Sequence, residues 1–285
     1  MTAANGIKSE TGSAVASTLR RCTGNGLAAF AKLVRPARIH PHDPWMSPLR
    51  QLAIATVVFV AVFVSGMIFI DAATIRGVAR LPLWVIDFFD AITDYGKSGW
   101  FLWPLGILFL ALAALPLGPM PMSQRVLAAA MVRIGFLFAA IAVPGVFTNI
   151  VKHIFGRARP GVGGSIDPTL FSPFSWPAAY AGLPSGHATT AFSVLVAVGS
   201  LFPRARTALL IYALLIAASR IVVTAHYPTD VVAGALVGVV GALMVRRYFA
   251  LRGLGFSVGP DGILHQYPGP SLKRIKSVAR EQLAN

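Results

Sequence analysis

Six long apolar runs constrain this chain more than any other feature. They cover about Leu52–Ile70, Trp100–Leu115, Val126–Val151, Ala188–Phe202, Ala208–Val223 and Val231–Val245. A bilayer core of about 30 Å takes roughly 20 apolar residues in a helix, or about 17–25 with tilt. Three of the runs are shorter, and each reaches that length through flanking small or polar residues. The chain is 55% hydrophobic and 12% charged, against roughly 25% charged for a soluble domain. An ordinary soluble enzyme, a disordered chain and a coiled coil are thereby excluded. Cys22, the one cysteine, excludes a disulfide framework and a Cys-based zinc cluster. The first run begins too far into the chain, and is too long, for a cleaved signal sequence. The expectation is an all-α polytopic membrane protein, six transmembrane helices in a bundle.

Six spans place both termini on one side, and the Lys/Arg asymmetry names it. Residues 1–50 carry seven Lys/Arg and the tail from Arg246 carries another seven. Arg125, Arg133, Arg204 and Arg206 mark the short loops on the same side, so both termini are expected in the cytoplasm. Six of the ten acids, Asp71, Asp87, Asp90, Asp94, Asp167 and Asp230, fall on the other side. The net charge of +15 is therefore mostly a topology signal. With no basic face or reading motif beside it, nucleic acid is not an expected partner.

Three regions follow: a partly disordered cytoplasmic segment over 1–50, a membrane domain over 51–247 and a cytoplasmic tail over 248–285. Residues 253–270 are rich in Gly and Pro and read as a linker. Beyond them Leu272, Ile275, Ala279 and Leu283 recur at helical spacing beside Lys273, Arg274, Lys276 and Arg280. That pattern fits a basic amphipathic helix on an anionic leaflet.

Charged residues at span ends cost a few kcal/mol at depth and are functional candidates by default. Three groups stand at the outer face. In the first, Lys152-x6-Arg159-Pro160, nearly two helical turns separate the cations, and Gly156 and Pro160 favour a break that turns both heads inward. The second, Pro184-Ser185-Gly186-His187, precedes the fourth span, where unpaired N–H groups and a helix dipole suit an anion. The third is Ser219-Arg220-x5-His226-x3-Asp230. Pro228 opens the sixth helix, so His226 sits just before it with Asp230 one turn on. A carboxylate there can hold one imidazole nitrogen and leave the other free to attack.

These motifs, KHIFGRARP (Lys152–Pro160), PSGH (Pro184–His187) and SRIVVTAHYPTD (Ser219–Asp230), resemble those of the type 2 phosphatidic acid phosphatase superfamily. The resemblance covers about residues 52–246. It implies a mechanism in which Lys152, Arg159 and Arg220 clamp the phosphate oxygens, with Ser185 and the Gly186 N–H completing the cradle. His226 is then the nucleophile, Asp230 holds its tautomer, and His187 protonates the leaving oxygen. His153 and Arg157 are not signature positions and are expected to have surface roles. No metal or other cofactor is needed, because the cationic clamp does a metal's work. Asp87, Asp90 and Asp94 share one helical face, read as the wet side of an interfacial helix rather than a headgroup or cation site.

A site at the bilayer's outer edge points to a lipid headgroup phosphate as substrate: phosphatidate, phosphatidylglycerophosphate, a polyprenyl diphosphate or lipid A. A bacterial inner membrane with a periplasmic site is expected. A phosphotransferase with the same residues remains an alternative, separable by its products. A vanadate-dependent haloperoxidase shares the motifs but would be a soluble chain. A transporter would need polar residues near the midplane or broken helices, whereas nearly all the charge here lies at span ends.

Overall fold

The computed structural model describes residues 2–36, 49–115 and 121–284. Residues 37–48 of the N-terminal segment lie outside the described residues. The apolar runs are helical. In chain order the helices are α1 (Thr2–Val34), α2 (Leu49–Gly66), α3 (Ala72–Val78), α4 (Leu83–Thr93), α5 (Gly99–Ala114), α6 (Pro121–Phe155), α7 (Gly186–Leu201), α8 (Arg206–Val222), α9 (Pro228–Leu251) and α10 (Leu272–Ala284). Five stretches are long and apolar enough to cross a membrane: Thr56–Val78, Leu83–Ala114, Ser123–Phe155, Pro203–Val222 and Pro228–Leu251. The remaining run forms α7, apolar but only 16 residues long, or about 24 Å of helix at 1.5 Å per residue. The chain is thus an all-α polytopic membrane protein with five to six long apolar helices.

Two segments differ from expectation. The first span does not end near Ile70 but passes through a π-helical turn, Met67–Asp71, into α3. Such a turn widens the helix locally and is frequent at functional sites. The segment read as a linker holds a small antiparallel hairpin, β1 (Phe256–Val258) and β2 (Leu264–Gln266), with Phe256 opposite Gln266. Its turn is closed by a Gly259 N–H to Ile263 O bond of 2.8 Å and by Asp261 Oδ1 accepting the Ile263 N–H at 2.9 Å. Gly and Pro mark both linkers and tight turns, and only the pairing of the flanks separates them.

The chain divides into two compact units. One comprises the described residues of 1–40, 103–138 and 247–285. Its centre is Phe136, fully buried, with the rings of Phe249 and Phe256 edge-on at 5.5 and 4.8 Å. Arg133 ties the tail to this unit by donating to Tyr267 O and Pro268 O at 2.9 and 3.1 Å. α10 forms where a tail helix was expected, and its Ile275 is exposed.

The other unit comprises the described residues of 41–102 and 139–246 and holds all three sequence motifs. Here α7 lies against α8, with Ala191, Ala213 and Ile216 buried together. α9 comes close to α7 because small residues face it. A Cβ on Gly234 would stand 2.4 Å from Ser185 O, and one on Gly238 2.5 Å from Thr189 O. This contact, backbone against backbone, sets the start of α7 beside the start of α9.

Candidate active site

The first motif begins on the last turn of α6 and leaves the helix at Gly156. That residue has φ +61°, and a Cβ there would lie 1.7 Å from Ser172 O, so only glycine fits. Residues 157–159 then run extended. The Ala158 N–H donates to Leu170 O at 2.9 Å, the Ser172 N–H to Gly156 O at 2.7 Å, and the Arg159 N–H to Ala179 O at 2.8 Å. An extended chain alternates its faces, so Arg157 and Arg159 separate. Arg159 remains partly open, within electrostatic reach of Lys152, Arg220, His226 and Asp230. Arg157 turns into the protein.

The expected surface position of Arg157 is incorrect: the residue is fully buried. Its Nη1 donates to Asp230 Oδ1 at 2.6 Å and to Thr229 Oγ1 at 2.7 Å. Its Nη2 donates to Asp71 Oδ2 at 2.7 Å and its Nε to Pro168 O at 2.9 Å. The guanidinium also lies 4.7 Å from the centre of the Tyr227 ring. Asp71, on the π-helical turn, also accepts from the Thr229 N–H at 3.0 Å and from its hydroxyl. One cation therefore joins two buried carboxylates and the first turn of α9. The signal for this was present in the sequence as an acid, Asp71, at the edge of an apolar run, which requires a buried partner. His153 does sit at the surface side. Its Nδ1 is 3.0 Å from Ser175 O, and its ring stacks on Trp176, which is 79% exposed.

The second motif caps α7. Ser185 is its N-cap, yet the hydroxyl makes no capping bond, and Oγ is buried without a partner. The first helical bond at this end runs from the Thr189 N–H to Ser185 O at 3.0 Å. The N–H groups of Gly186, His187 and Ala188 thus precede the hydrogen-bonded ladder and share the positive end of the helix dipole. Gly96, in the turn after α4, backs the His187 ring: a Cβ there would stand 2.9 Å from His187 Cδ2 and 2.6 Å from Ile216 Cγ2.

The third motif spans the end of α8 and the start of α9. Arg220 is nearly buried and donates from Nη1 to Thr93 Oγ1 at 2.5 Å. The His226 N–H returns to Arg220 O at 3.1 Å, which holds the two residues together. His226 Nδ1 lies 2.8 Å from Gly182 O. A carbonyl can only accept, so Nδ1 carries the proton and Nε2 the lone pair. Asp230 is farther from this nitrogen, at 3.7 Å. The direct orienting contact is therefore Gly182 O. Asp230 sits in the first turn of α9, and its Oδ2 accepts the Tyr227 N–H at 2.9 Å, an N-terminal capping bond. Burial holds the His226 imidazole below the ordinary 6.5, against the opposing pull of Asp230. Burial likewise raises the Tyr227 phenol to about 12.

All eight residues singled out in the sequence, Lys152, Arg159, Ser185, Gly186, His187, Arg220, His226 and Asp230, lie at the same end of this unit. Four polar atoms among them are buried and unpartnered: Arg159 Nε, Ser185 Oγ, His187 Nε2 and Arg220 Nε. Gly182, Asp71, Arg157, Thr93 and Gly96 support them and were not foreseen. Asp87, Asp90 and Asp94 are exposed, and Asp94 pairs with Lys97 at 2.8 Å. Among the described residues no three His, Cys, Asp or Glu side chains gather as metal ligands.

The chain is similar to proteins of known activity. A lipid A 1-phosphatase of Rhizobium johnstonii is 34% identical over 218 residues, covering 76% of this chain and 88% of that protein. A lipid A 1-phosphatase of Rhizobium etli is 34% identical over the same length, covering 76% and 93%. The sequence profile of the PAP2 superfamily matches residues 133–253, which contain all eight site residues. The chain belongs to the PAP2 superfamily. It is a bacterial integral-membrane phosphatase of that superfamily, acting on a phosphate of a lipid headgroup. A solved structure, LpxE of Aquifex aeolicus, aligns at 24% identity with a TM-score of 0.45, covering 62% of this chain and 95% of that one. Asp71, the second carboxylate on Arg157, lies outside the PAP2 match.

Proposed function

We propose that this PAP2 phosphatase removes the 1-phosphate of lipid A through a phosphohistidine on His226. The observation that carries the reading is the set of buried donors without partners around a histidine whose Nε2 holds the lone pair. Unpaired buried donors are costly, and a phosphate monoester with three acceptor oxygens would satisfy them. Lys152, Arg159 and Arg220 supply the positive charge, and Ser185 Oγ and the Gly186 N–H complete the cradle. His226 Nε2 attacks phosphorus as the bond to the sugar oxygen breaks, and His187 gives that oxygen its proton. Water, deprotonated by His187, then attacks the phosphohistidine and the P–N bond breaks, returning His226 to its starting state. Asp230 acts by holding the first turn of α9 and, through Arg157, the loop that carries Arg159.

Six spans, both termini in the cytoplasm and a periplasmic site in the inner membrane complete the proposal. Supporting it are the Lys/Arg asymmetry and exposed aromatic residues at the site end of this unit, Trp84, Tyr95, Trp100, Phe174 and Trp176, as at a membrane–water boundary. The substrate is supported by the two lipid A 1-phosphatases. The test is phosphate release in detergent from lipid A, phosphatidate, phosphatidylglycerophosphate and undecaprenyl diphosphate, each with and without EDTA. Expected are preferred release of the lipid A 1-phosphate, persistence in EDTA, and inhibition by vanadate, which mimics five-coordinate transfer. Preference for another lipid overturns the substrate. Full loss in EDTA with recovery on Mg²⁺ overturns the mechanism, and a C-terminal reporter active only in the periplasm overturns the topology.

A further inference from the structure

At the end of the same unit remote from the histidines, α7, α8 and α9 enclose an open cleft of about 420 Å³. Along α8, Arg206 is fourteen residues from Arg220, and along α9, Arg246 is eighteen residues from Pro228. At 1.5 Å per residue these are separations of about 21 and 27 Å, so the cleft is separate from the phosphatase site. Its polar lining is Arg206, Arg246, Thr207 and Ser200, and its apolar walls include Leu195, Leu210 and Leu243.

Two guanidinium groups converge here without a carboxylate. Arg206 donates from Nε to Gly199 O at 2.9 Å, which fixes the head, and among the described residues neither Nη group has a hydrogen-bond acceptor. Arg246 donates from Nη1 to Ser200 Oγ at 3.3 Å, while its Nε is buried and unpartnered. The two heads feel each other's charge. Every described acid of this unit, Asp71, Asp87, Asp90, Asp94, Asp167 and Asp230, belongs to the opposite end. The start of α8 adds its dipole, since Ala205 at the N-cap offers no side-chain cap. Leu210 is exposed on α8 together with Ile211 and Leu214, the kind of surface that faces acyl chains.

We propose that this cleft binds an anionic phospholipid. The headgroup phosphodiester sits between Arg206 and Arg246, and an acyl chain lies over Leu210 and Leu243. Basic pockets between helices at one membrane face bind anionic headgroups in this way. The amphiphilic lining selects the lipid over a free anion: the cations are contiguous with an apolar wall that an inorganic ion would leave uncovered. The bound lipid bridges three helices whose far ends carry Ser185, His187, Arg220 and His226, so it stabilises the fold without touching substrate. Assignment of the cleft to the cytoplasmic leaflet rests on the proposed topology; the cleft itself does not.

The experiment compares the full chain in micelles containing phosphatidylglycerol, in micelles containing phosphatidylcholine, and in phosphatidylcholine with inorganic phosphate. Lipid retention is read by native mass spectrometry and stability by thermal unfolding. Expected are retention of phosphatidylglycerol and a higher Tm with that lipid alone. In Arg206→Gln/Arg246→Gln the Tm increment disappears and phosphatidylglycerol binding weakens about 30-fold, at roughly 1 kcal/mol per arginine. Arg206 also holds Gly199 O, so the double variant has a lower baseline, and the increment between lipids is what is read. A second variant, Leu243→Trp, fills the apolar wall, keeps both cations, and is expected to lose the increment as well. Equal stabilisation by inorganic phosphate, an unchanged increment in both variants, or no preference between the two lipids overturns the proposal.

Discussion

Replacing Arg157 by alanine tests the network on which the site rests. The side chain is fully buried and makes four hydrogen bonds, two of them to the buried carboxylates of Asp71 and Asp230. Removing one partner of a buried ion pair costs about 3–5 kcal/mol, because the other charge is left uncompensated. Here one cation serves two carboxylates, so the loss is expected at the upper end. At 1.4 kcal/mol per decade, that lowers the folded-to-unfolded ratio by roughly 10² to 10³ or more. Arg157→Lys keeps the charge but cannot reach both carboxylates with a planar fork, so an intermediate loss is expected. Adding Asp71→Asn to Arg157→Ala removes one stranded charge and should recover part of the loss. A coupling between the two sites of about 0.5–3 kcal/mol is expected. The assay is unfolding in a single detergent at fixed pH, with phosphate release measured per folded molecule. Arg157→Ala within about 0.5 kcal/mol of wild type, as for an ordinary surface substitution, would refute the buried-bridge reasoning. So would Asp71→Asn and Arg157→Ala losses that simply add.

Three further outcomes follow from the site. His226→Ala should abolish phosphoenzyme and turnover together, while His187→Ala should retain activity on p-nitrophenyl phosphate, whose leaving group needs little protonation; near-normal turnover of His226→Ala on either substrate would remove it as nucleophile. Burial depresses the His226 pKa below 6.5, so the unfolded chain binds more protons in the window between the folded value and 6.5. The contribution to stability is then full above pH 6.5 and is lost as pH falls through that window. The acidic limb of kcat/KM, read from a pH series, should accordingly lie below 6.5, and a limb above it contradicts the neutral, buried imidazole. Gly96→Ala should push the His187 ring and lower kcat by roughly 10- to 100-fold, as misplacement of up to an ångström does, with a smaller change in KM; unchanged kcat would mean the ring is not held from that side.

The sequence by itself determined the class of this protein and nominated the residues of its candidate site. Long apolar runs can be satisfied only in lipid, so Leu52–Ile70 and its counterparts were legible as helices without any tertiary information. The six ionisable residues at span ends, Lys152, Arg159, His187, Arg220, His226 and Asp230, were legible because charge at that depth demands a reason. What the sequence could not decide was direction and partnership. Arg157 and Arg159 are two residues apart and chemically identical. Only the break at Gly156 and the pairing with Leu170 and Ser172 put one against Asp71 and Asp230 and the other toward Lys152 and Arg220. Asp71 and Arg157 are 86 positions apart, a pairing that no local periodicity encodes. The partner of His226 followed the same rule. Spacing nominated Asp230 because a carboxylate one turn along a helix is the nearest side chain. The folded loop instead placed the backbone carbonyl of Gly182 closer, and a carbonyl leaves no mark in a sequence. The basic cleft at the far end was visible only as charge in short loops, since its identity as a site depends on three helix ends meeting around one cavity. Periodicity and desolvation act along the chain and can be read from it, whereas the acceptor that a buried donor finds depends on which segments the fold brings within 3 Å of it.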